Sequence, residues 1–350
     1  MSLVTHHVFL DTQVYRSLGH NLDSPPLLAL REQIAADRLV LHITDITLCE
    51  IKRQIGSNVG DAANSMNEAR KKFSIWKGRL PANIAGDFPT FDQTAISEAA
   101  FEQFYKRVRA EWSVVDHNAT SVAALDIFND YFHREPPFES IGSKEFPDAF
   151  VVQALVNWCI QKETKMYVVG ADKAMAAAVD RSPMLLHMQS LPKLLESIAA
   201  TETPDINDRT RKLLAKPAVS DGIARKIENK LDELIPIYVG DLADGEVSGH
   251  ELNGKMEIDD FTVLAASNQD ISVILKVRIP LKINIDFEDR SSAFYDNEDD
   301  IYVGTEFAQT NIEDEPIIRV FAKLTRKPPS VVGIQIMTSE FEVYDNYDDY

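Results

Sequence analysis

The sequence predicts a parallel α/β domain followed by a mostly antiparallel β domain. Two patterns and a charge division predict it. Over the first two hundred residues, short apolar runs alternate with helical patterns, which implies a parallel sheet with helices on both faces. From Ile235 onward apolar residues recur at every second position, as in strands with one buried face. The charge divides at the same place: residues 235–350 hold 24 acidic and 9 basic side chains, a net of −15, whereas residues 1–234 have a net of −4.

The elements follow in order. HVFL at His7–Leu10 reads as a short buried strand ending in Asp11. Pro25–Asp37 is helical, with Leu27, Leu28, Leu30 and Ile34 on one side, and Leu39–Ile43 (LVLHI) is a second strand. A helix over Asp45–Ile55 follows, then long helices over Asp61–Trp76 and Ala95–Trp112, and another over Thr120–His133. Pro147–Lys162 is a strong helix with proline at its start, where the missing N–H costs nothing. MYVV at Met166–Val169 is a third strand, Asp172–Val179 a helix, Leu185–His187 a short strand and Pro192–Ala199 a helix. This division gives a first domain over 1–200, with a helical insertion at about 58–133. Residues 201–234 read as a linker and connecting helix, and 235–350 as an acidic β-sandwich or barrel-like domain. Its clearest stretch is Ile271–Phe287, where every odd-numbered position is apolar and the even-numbered ones are polar except Ile274 and Pro280. Pro280 marks an edge, a bend or a break between two strands. Lys255–Leu264, Ile301–Phe307, Ile317–Leu324 and Val331–Val343 carry the same texture.

Composition narrows the function. The 350 residues are 45% hydrophobic and 26% charged, as in soluble globular proteins with a sizeable core. The two cysteines, Cys49 and Cys159, are too few for a disulfide framework or a thiolate zinc site and read as buried thiols. There is no signal-peptide pattern at the N-terminus and no run near 18 apolar residues, so a cytoplasmic location with no membrane partner is expected. No GxGxxG is present, which argues against a dinucleotide site. A formal charge of −19 argues against nucleic acid as a partner of the whole chain, but the nearly neutral first domain escapes that inference.

Ligands of open α/β sheets bind outside the carboxyl ends of the strands. Asp11 ends the first strand, Glu50 lies early in the helix after the second, Asp148 starts the helix leading into the third, and Asp172 follows that strand. Each has a plain structural role open to it: Asp148 as a favoured helix N-terminal charge, Asp172 as an N-cap, Asp11 as a turn residue, Glu50 as a surface position. Together, four converging carboxylates repel one another and need cations between them. Oxygen donors suit Mg²⁺ or Mn²⁺, and a pair of such ions serves in-line phosphodiester hydrolysis.

Four segments resemble the motifs of PIN-domain nucleases over about residues 5–200. VFLDTQVY is similar to the family's first motif, ITLCEIKRQI to the helix with the second acid, EFPDAFVVQALV to the Asp-Ala motif, and YVVGADKAM to the strand followed by Asp. The large insertion, with REPPFES before the third motif, is similar to a bacterial PIN-like branch. The resemblance implies a three-layer α/β/α fold, metal-dependent cleavage of RNA or single strands, and Asp11, Glu50, Asp148 and Asp172 as metal ligands and catalytic residues, assisted by the Thr12 hydroxyl. It also implies an endoribonuclease of the toxin or anti-phage defence kind. The chain departs from the pattern at Gly170-Ala171, where many members carry Ser or Thr.

The segment 52–79 has a local net of +5, from Lys52, Arg53, Arg70, Lys71, Lys72, Lys77 and Arg79 against Asp61 and Glu68, with Phe73 and Trp76 between them. Basic side chains track phosphates and aromatic faces stack bases, so this is the expected substrate surface, although a solvated helix face with core aromatics gives the same pattern. Lys144 and Lys173 flank acids and are candidates for phosphate contact; Lys106, Arg107 and Arg109 form a weaker cluster. Three other readings compete: a catalytically inactive PIN module serving as an RNA-binding or assembly scaffold, a single-stranded DNA nuclease, and a dehalogenase-like phosphatase. The last needs a second Asp two residues after the first, and Gln13 stands there. The acidic domain is expected to oligomerise the chain or bind a protein partner rather than nucleic acid.

Overall fold

The computed structural model describes residues 3–77, 79, 92–296 and 301–345. The chain divides into two compact units, Met1–Ser197 and Ile198–Tyr350.

The first unit is built on a five-stranded, wholly parallel sheet. Its elements are β1 (His7–Leu10), α1 (Thr12–Ser17), α2 (Pro25–Ala35), β2 (Val40–Thr44), α3 (Asp45–Lys77), α4 (Gln93–Glu111), β3 (Val115–His117), α5 (Ala124–His133), α6 (Phe146–Gln161), β4 (Met166–Val169), α7 (Lys173–Asp180), β5 (Leu185–Met188) and α8 (Leu191–Glu202). The strand order is β3-β2-β1-β4-β5, with Val8 opposite both Leu41 and Tyr167. Phe9 joins a core with Val152 and Leu155 of α6 and Val179 of α7, and its neighbours Val8 and Leu10, which point to the other face, are equally buried. Both faces of the sheet are therefore covered, as parallel sheets require.

Two local outcomes differ from the sequence reading. The helices expected over 45–55 and 61–76 are one continuous helix, α3. Gly56 and Gly60 lower helix propensity but do not end it. At Gly60 a Cβ would lie 2.6 Å from Gln93 Nε2, so the glycine lets α4 approach. Within the stretch expected to be helical insertion, Val115–His117 forms β3 on the sheet edge, held by the register of Thr44 with His117.

The same sheet carries a chain of imidazoles. His7 Nδ1 and His42 Nε2 are 2.9 Å apart, and His42 Nδ1 and His117 Nε2 are 2.8 Å apart. The Trp158 ring of α6 packs against all three. Cys159 is buried nearby in α6, whereas Cys49 is exposed, contrary to its reading as a core thiol; it lies on the outer side of α3, a half-turn from buried Ile51.

In the second unit, the stretch 201–234 is not a bare linker. It holds α9 (Ile206–Leu214) and α10 (Pro217–Glu228), whose Ile206, Leu213, Val219, Ile223 and Ile227 are part of the unit's core. Its strands are β6 (Ile235–Tyr238), β7 (Glu246–Leu252), β8 (Glu257–Ala266), β9 (Asp270–Arg278), β10 (Leu281–Asp289), β11 (Phe294–Asp296), β12 (Ile301–Val303), β13 (Glu306–Asp314), β14 (Ile317–Arg326), β15 (Pro329–Ile336) and β16 (Glu340–Val343). A four-stranded antiparallel sheet, β15-β14-β9-β8, and a three-stranded one, β13-β10-β7, contribute to one core. β11 and β12 form an antiparallel pair, and β16 pairs β6 in parallel. The long alternating stretch breaks at Pro280, so that β9 enters one sheet and β10 the other. Odd positions Ile271, Val273, Leu275, Val277, Ile279, Leu281, Ile283 and Ile285 are buried throughout. Residues 346–350, most of the acidic tail, lie outside the described residues. No helix among the described residues is long and apolar enough to cross a membrane.

Candidate active site

The chain leaves β1 toward β2 on one side and returns to β4 on the other, so winding changes direction between β1 and β4. A crevice opens outside the carboxyl ends of the strands at such a point. Asp11, Glu50, Asp148 and Asp172 all line one pocket of about 250 Å³ there, with Thr12.

Asp11 directly follows β1, and its N–H donates to the Val169 carbonyl at the end of β4 (2.9 Å). It stands at the N-cap of α1 but its carboxylate makes no capping bond. Only 6% of it is exposed. Burial pushes its carboxyl up to about 6 against the opposing Thr12 hydrogen bonds, and Glu50 and Asp172 add repulsion. Thr12 Oγ1 donates to Asp11 Oδ1 (3.3 Å).

Glu50 lies in the second turn of α3, which begins at once after β2. Burial raises its carboxyl, the Thr12 hydroxyl and Arg53 oppose the rise, and Glu145 adds to it. Thr12 thus serves two carboxylates. Asp148 lies in the first turn of α6 and is pushed up to about 8, chiefly by burial, then by Asp11, by a hydrogen bond with Glu145 and by Glu50. Asp172 is the N-cap of α7: Oδ1 accepts the Met175 N–H (2.9 Å). Its plain structural role is therefore real, and Asp172 lines the pocket as well. The departure at Gly170-Ala171 has a steric setting, because the Gly170 backbone passes directly against the Asp11 side chain.

The donor set fits a hard divalent cation: oxygen ligands only, three of them held above their ordinary range by burial and by one another. Among the described residues no three His, Cys, Asp or Glu side chains are already gathered as a metal-binding group. Bound ions would have to draw these carboxylates together.

The predicted basic residues separate into near and far. Lys144 and Arg53 line the pocket. Arg53 also lines a neighbouring pocket of about 450 Å³ with Lys52, whose Nζ stands 5.6 Å from the Phe101 ring centre. Arg70, Lys71 and Lys72 are exposed on the same helix, but at 1.5 Å per residue they lie roughly 30 Å along α3 from Glu50. Lys173 is exposed at the start of α7 and is not among the pocket-lining residues. The side chains of Trp76 and Lys77 lie outside the described ones. The weaker cluster is engaged in ion pairs: Lys106 with Glu102, Arg107 with Asp23 and Glu111, Arg109 with Asp116. Sequence reasoning missed Glu145, Arg16, Gln13 and Gln54, which also line the pocket. Glu145, at the N-cap position of α6, was open to discovery as the acid three residues before Asp148.

Comparison with known families finds that residues 8–175, the span holding all four acids, match the family model described as PIN domain, and that no family model matches the second unit. No curated protein and no solved structure matches the chain.

Proposed function

Residues 8–175 of this chain form a PIN domain, and from that premise we propose that the protein is a divalent-metal-dependent endoribonuclease. PIN domains are in general metal-dependent nucleases acting on nucleic acid. The observation that carries the proposal is the convergence of Asp11, Glu50, Asp148 and Asp172 on one pocket at the carboxyl edge of the parallel sheet. Carboxyls shifted by burial and by one another in a cleft are candidates for a functional site. Mg²⁺ or Mn²⁺ held by the four acids would supply charge neutralisation and an activated water. The protein's own groups do the rest. The Thr12 hydroxyl orients Asp11 and lies beside Glu50, Glu145 shares a proton with Asp148 until a cation takes its place, and Lys144 and Arg53 offer positive charge to the phosphate at the pocket wall. A nuclease of this kind acting on cellular RNA would behave as a toxin or defence effector. The acidic second unit, with a net of −15 over residues 235–350, would bind a protein partner or a second copy rather than substrate.

The test is incubation of the purified protein with labelled RNA and single-stranded DNA in Mn²⁺ or Mg²⁺, beside Asp11→Asn and Asp148→Asn. Cleavage of RNA by the wild type and not by the variants is expected. Equal cleavage by the variants would overturn the site. Cleavage confined to DNA would make it a single-stranded DNA nuclease, and binding without cleavage a scaffold.

A further inference from the structure

We propose that the outer face of α5 is a stacking platform for unpaired bases of a single-stranded nucleic acid that enters the candidate active site, an inference that rests on the nuclease reading above. The helix is apolar on two sides. Ile127 is buried, and Tyr131 packs against Phe138 and Phe146. On the other side Leu125, Phe128 and Phe132 recur at i, i+3 and i+7, and they are 71%, 45% and 64% exposed. An amphipathic surface helix places polar residues there, so this face is built to be covered.

Its chemistry and position point to the occupant. The Phe128 and Phe132 rings lie 6.3 Å apart and only 29° from parallel, offering two similarly directed flat faces. Every base has a π-face and stacks on such rings without regard to sequence. Phe128 in turn leans on Phe146, with ring centres 5.5 Å apart, and the chain neighbours of Phe146, Glu145 and Pro147, form part of the pocket wall. The platform is thus continuous with the place where the phosphodiester would be cut. Lys144 lines the pocket and Arg134 is exposed just past the end of α5, two positive charges available to phosphates between stacked bases. Of the helix's own acids, Asp130 is bound by both terminal nitrogens of Arg181, and Asp126 stands in the first turn beside Leu125. A duplex keeps its bases stacked on one another and has no face to offer.

The experiment measures binding of a fluorescent RNA single strand and of the matching duplex to wild type and to Phe128→Ala/Phe132→Ala. Ca²⁺ replaces Mg²⁺, strand integrity is checked on a gel, and sedimentation velocity is run on both proteins. Both rings are exposed, so the variant is expected to keep the wild-type circular dichroism and melting temperature. The single strand should bind at least about tenfold more weakly to the variant, with duplex binding unchanged, and Phe128→Trp/Phe132→Trp should restore it. Unchanged single-strand affinity, an equal loss for duplex, or no oligonucleotide binding by the wild type would each overturn the proposal. So would a wild-type dimer that the Ala variant dissociates, which would assign the face to a second copy of the chain. Loss of stacking in a protein that never cleaves would instead overturn the nuclease reading and leave the platform standing.

Discussion

A methyl group placed on Gly170 would stand 3.0 Å from Cβ and 3.1 Å from Oδ2 of Asp11. The Asp11 side chain would have to give way, because the Gly170 backbone is tied to Met188 and accepts from His187 Nε2 at 2.8 Å. A catalytic group displaced by about 1 Å can cost about 10²-fold in rate. Gly170→Ala and Gly170→Ser push Asp11 by only a few tenths of an ångström and are therefore expected to lower kcat/KM by a smaller factor, about 3- to 10-fold. Circular dichroism should remain unchanged. Full activity in either variant would show that Asp11 tolerates movement and is not a catalytic ligand.

Asp148 and Asp11 repel each other across the pocket, and metal should matter to stability as well as rate. In EDTA at mildly alkaline pH, Asp148→Asn is expected to raise the melting temperature, since it removes a carboxylate that burial and Asp11 disfavour. Mn²⁺ should raise the melting temperature of the wild type by ligand linkage and have a much smaller effect on the variant. Differential scanning fluorimetry with and without Mn²⁺ checks both. An equal Mn²⁺ response in the two proteins would remove Asp148 from the ligand set.

His42 is fully buried between two other imidazoles, and burial pushes it down to about 3, with His117 and His7 adding to the effect. His7 and His117 are lowered too, each chiefly by burial. The unfolded chain takes up protons below about pH 6.5 that the folded chain refuses, so this contribution to stability is lost as pH falls from there toward 3. The urea midpoint of the first unit is expected to fall between about pH 7 and pH 5. His42→Leu should cost about 1–3 kcal/mol at pH 7, because two ring nitrogens lose their partner. It should also flatten the pH dependence, and a slope equal to wild type would contradict the assignment.

Distance along α3 divides the basic residues. Arg53→Glu acts at the pocket and is expected to weaken binding of every substrate, long or short. Arg70→Glu/Lys71→Glu/Lys72→Glu lies roughly 30 Å away along the helix and should weaken only substrates long enough to span it. The slope of log affinity against log salt should become shallower by about 0.7 for each phosphate that the triple variant no longer neutralises. Anisotropy titrations with short and long oligonucleotides separate the two. Equal weakening on a short oligonucleotide would mean that substrate lies across α3 rather than along it.

Much of the first unit is legible because a parallel strand buried on both faces reads as an unbroken apolar run, as HVFL and MYVV do. Two acids are legible for the same reason: Asp11 follows HVFL at once and Asp172 follows MYVV after Gly170-Ala171, whereas Asp148 is marked by the apolar helix it opens. VDH at β3 carries no run, and its register with β2 makes it a strand. GSNVG looks like a helix end, yet α3 continues because α4 packs on it. Glu145 is visible as the acid three residues before Asp148, but an acid at a helix start usually answers the helix dipole, so the sequence alone does not set it apart. ALDIFNDYFH in α5 shows an apolar helix without showing that Leu125, Phe128 and Phe132, three of its five large apolar residues, face solvent. In 201–234 the polar composition conceals the few apolar residues that seal the second core.

Pro280 stands where one alternating stretch passes from β9 to β10 and so from one sheet into the other. Its carbonyl accepts the Asn253 N–H, and Ile279 N–H donates to Pro316, which fixes the corner from both sides. The two sheets consequently have no independent existence: each owns one half of a single strand-corner-strand segment, and Ile279 and Leu281 on either side of the corner are buried in the core that both sheets share. Unfolding either sheet withdraws a strand from the other. The second unit is built to melt in one cooperative transition.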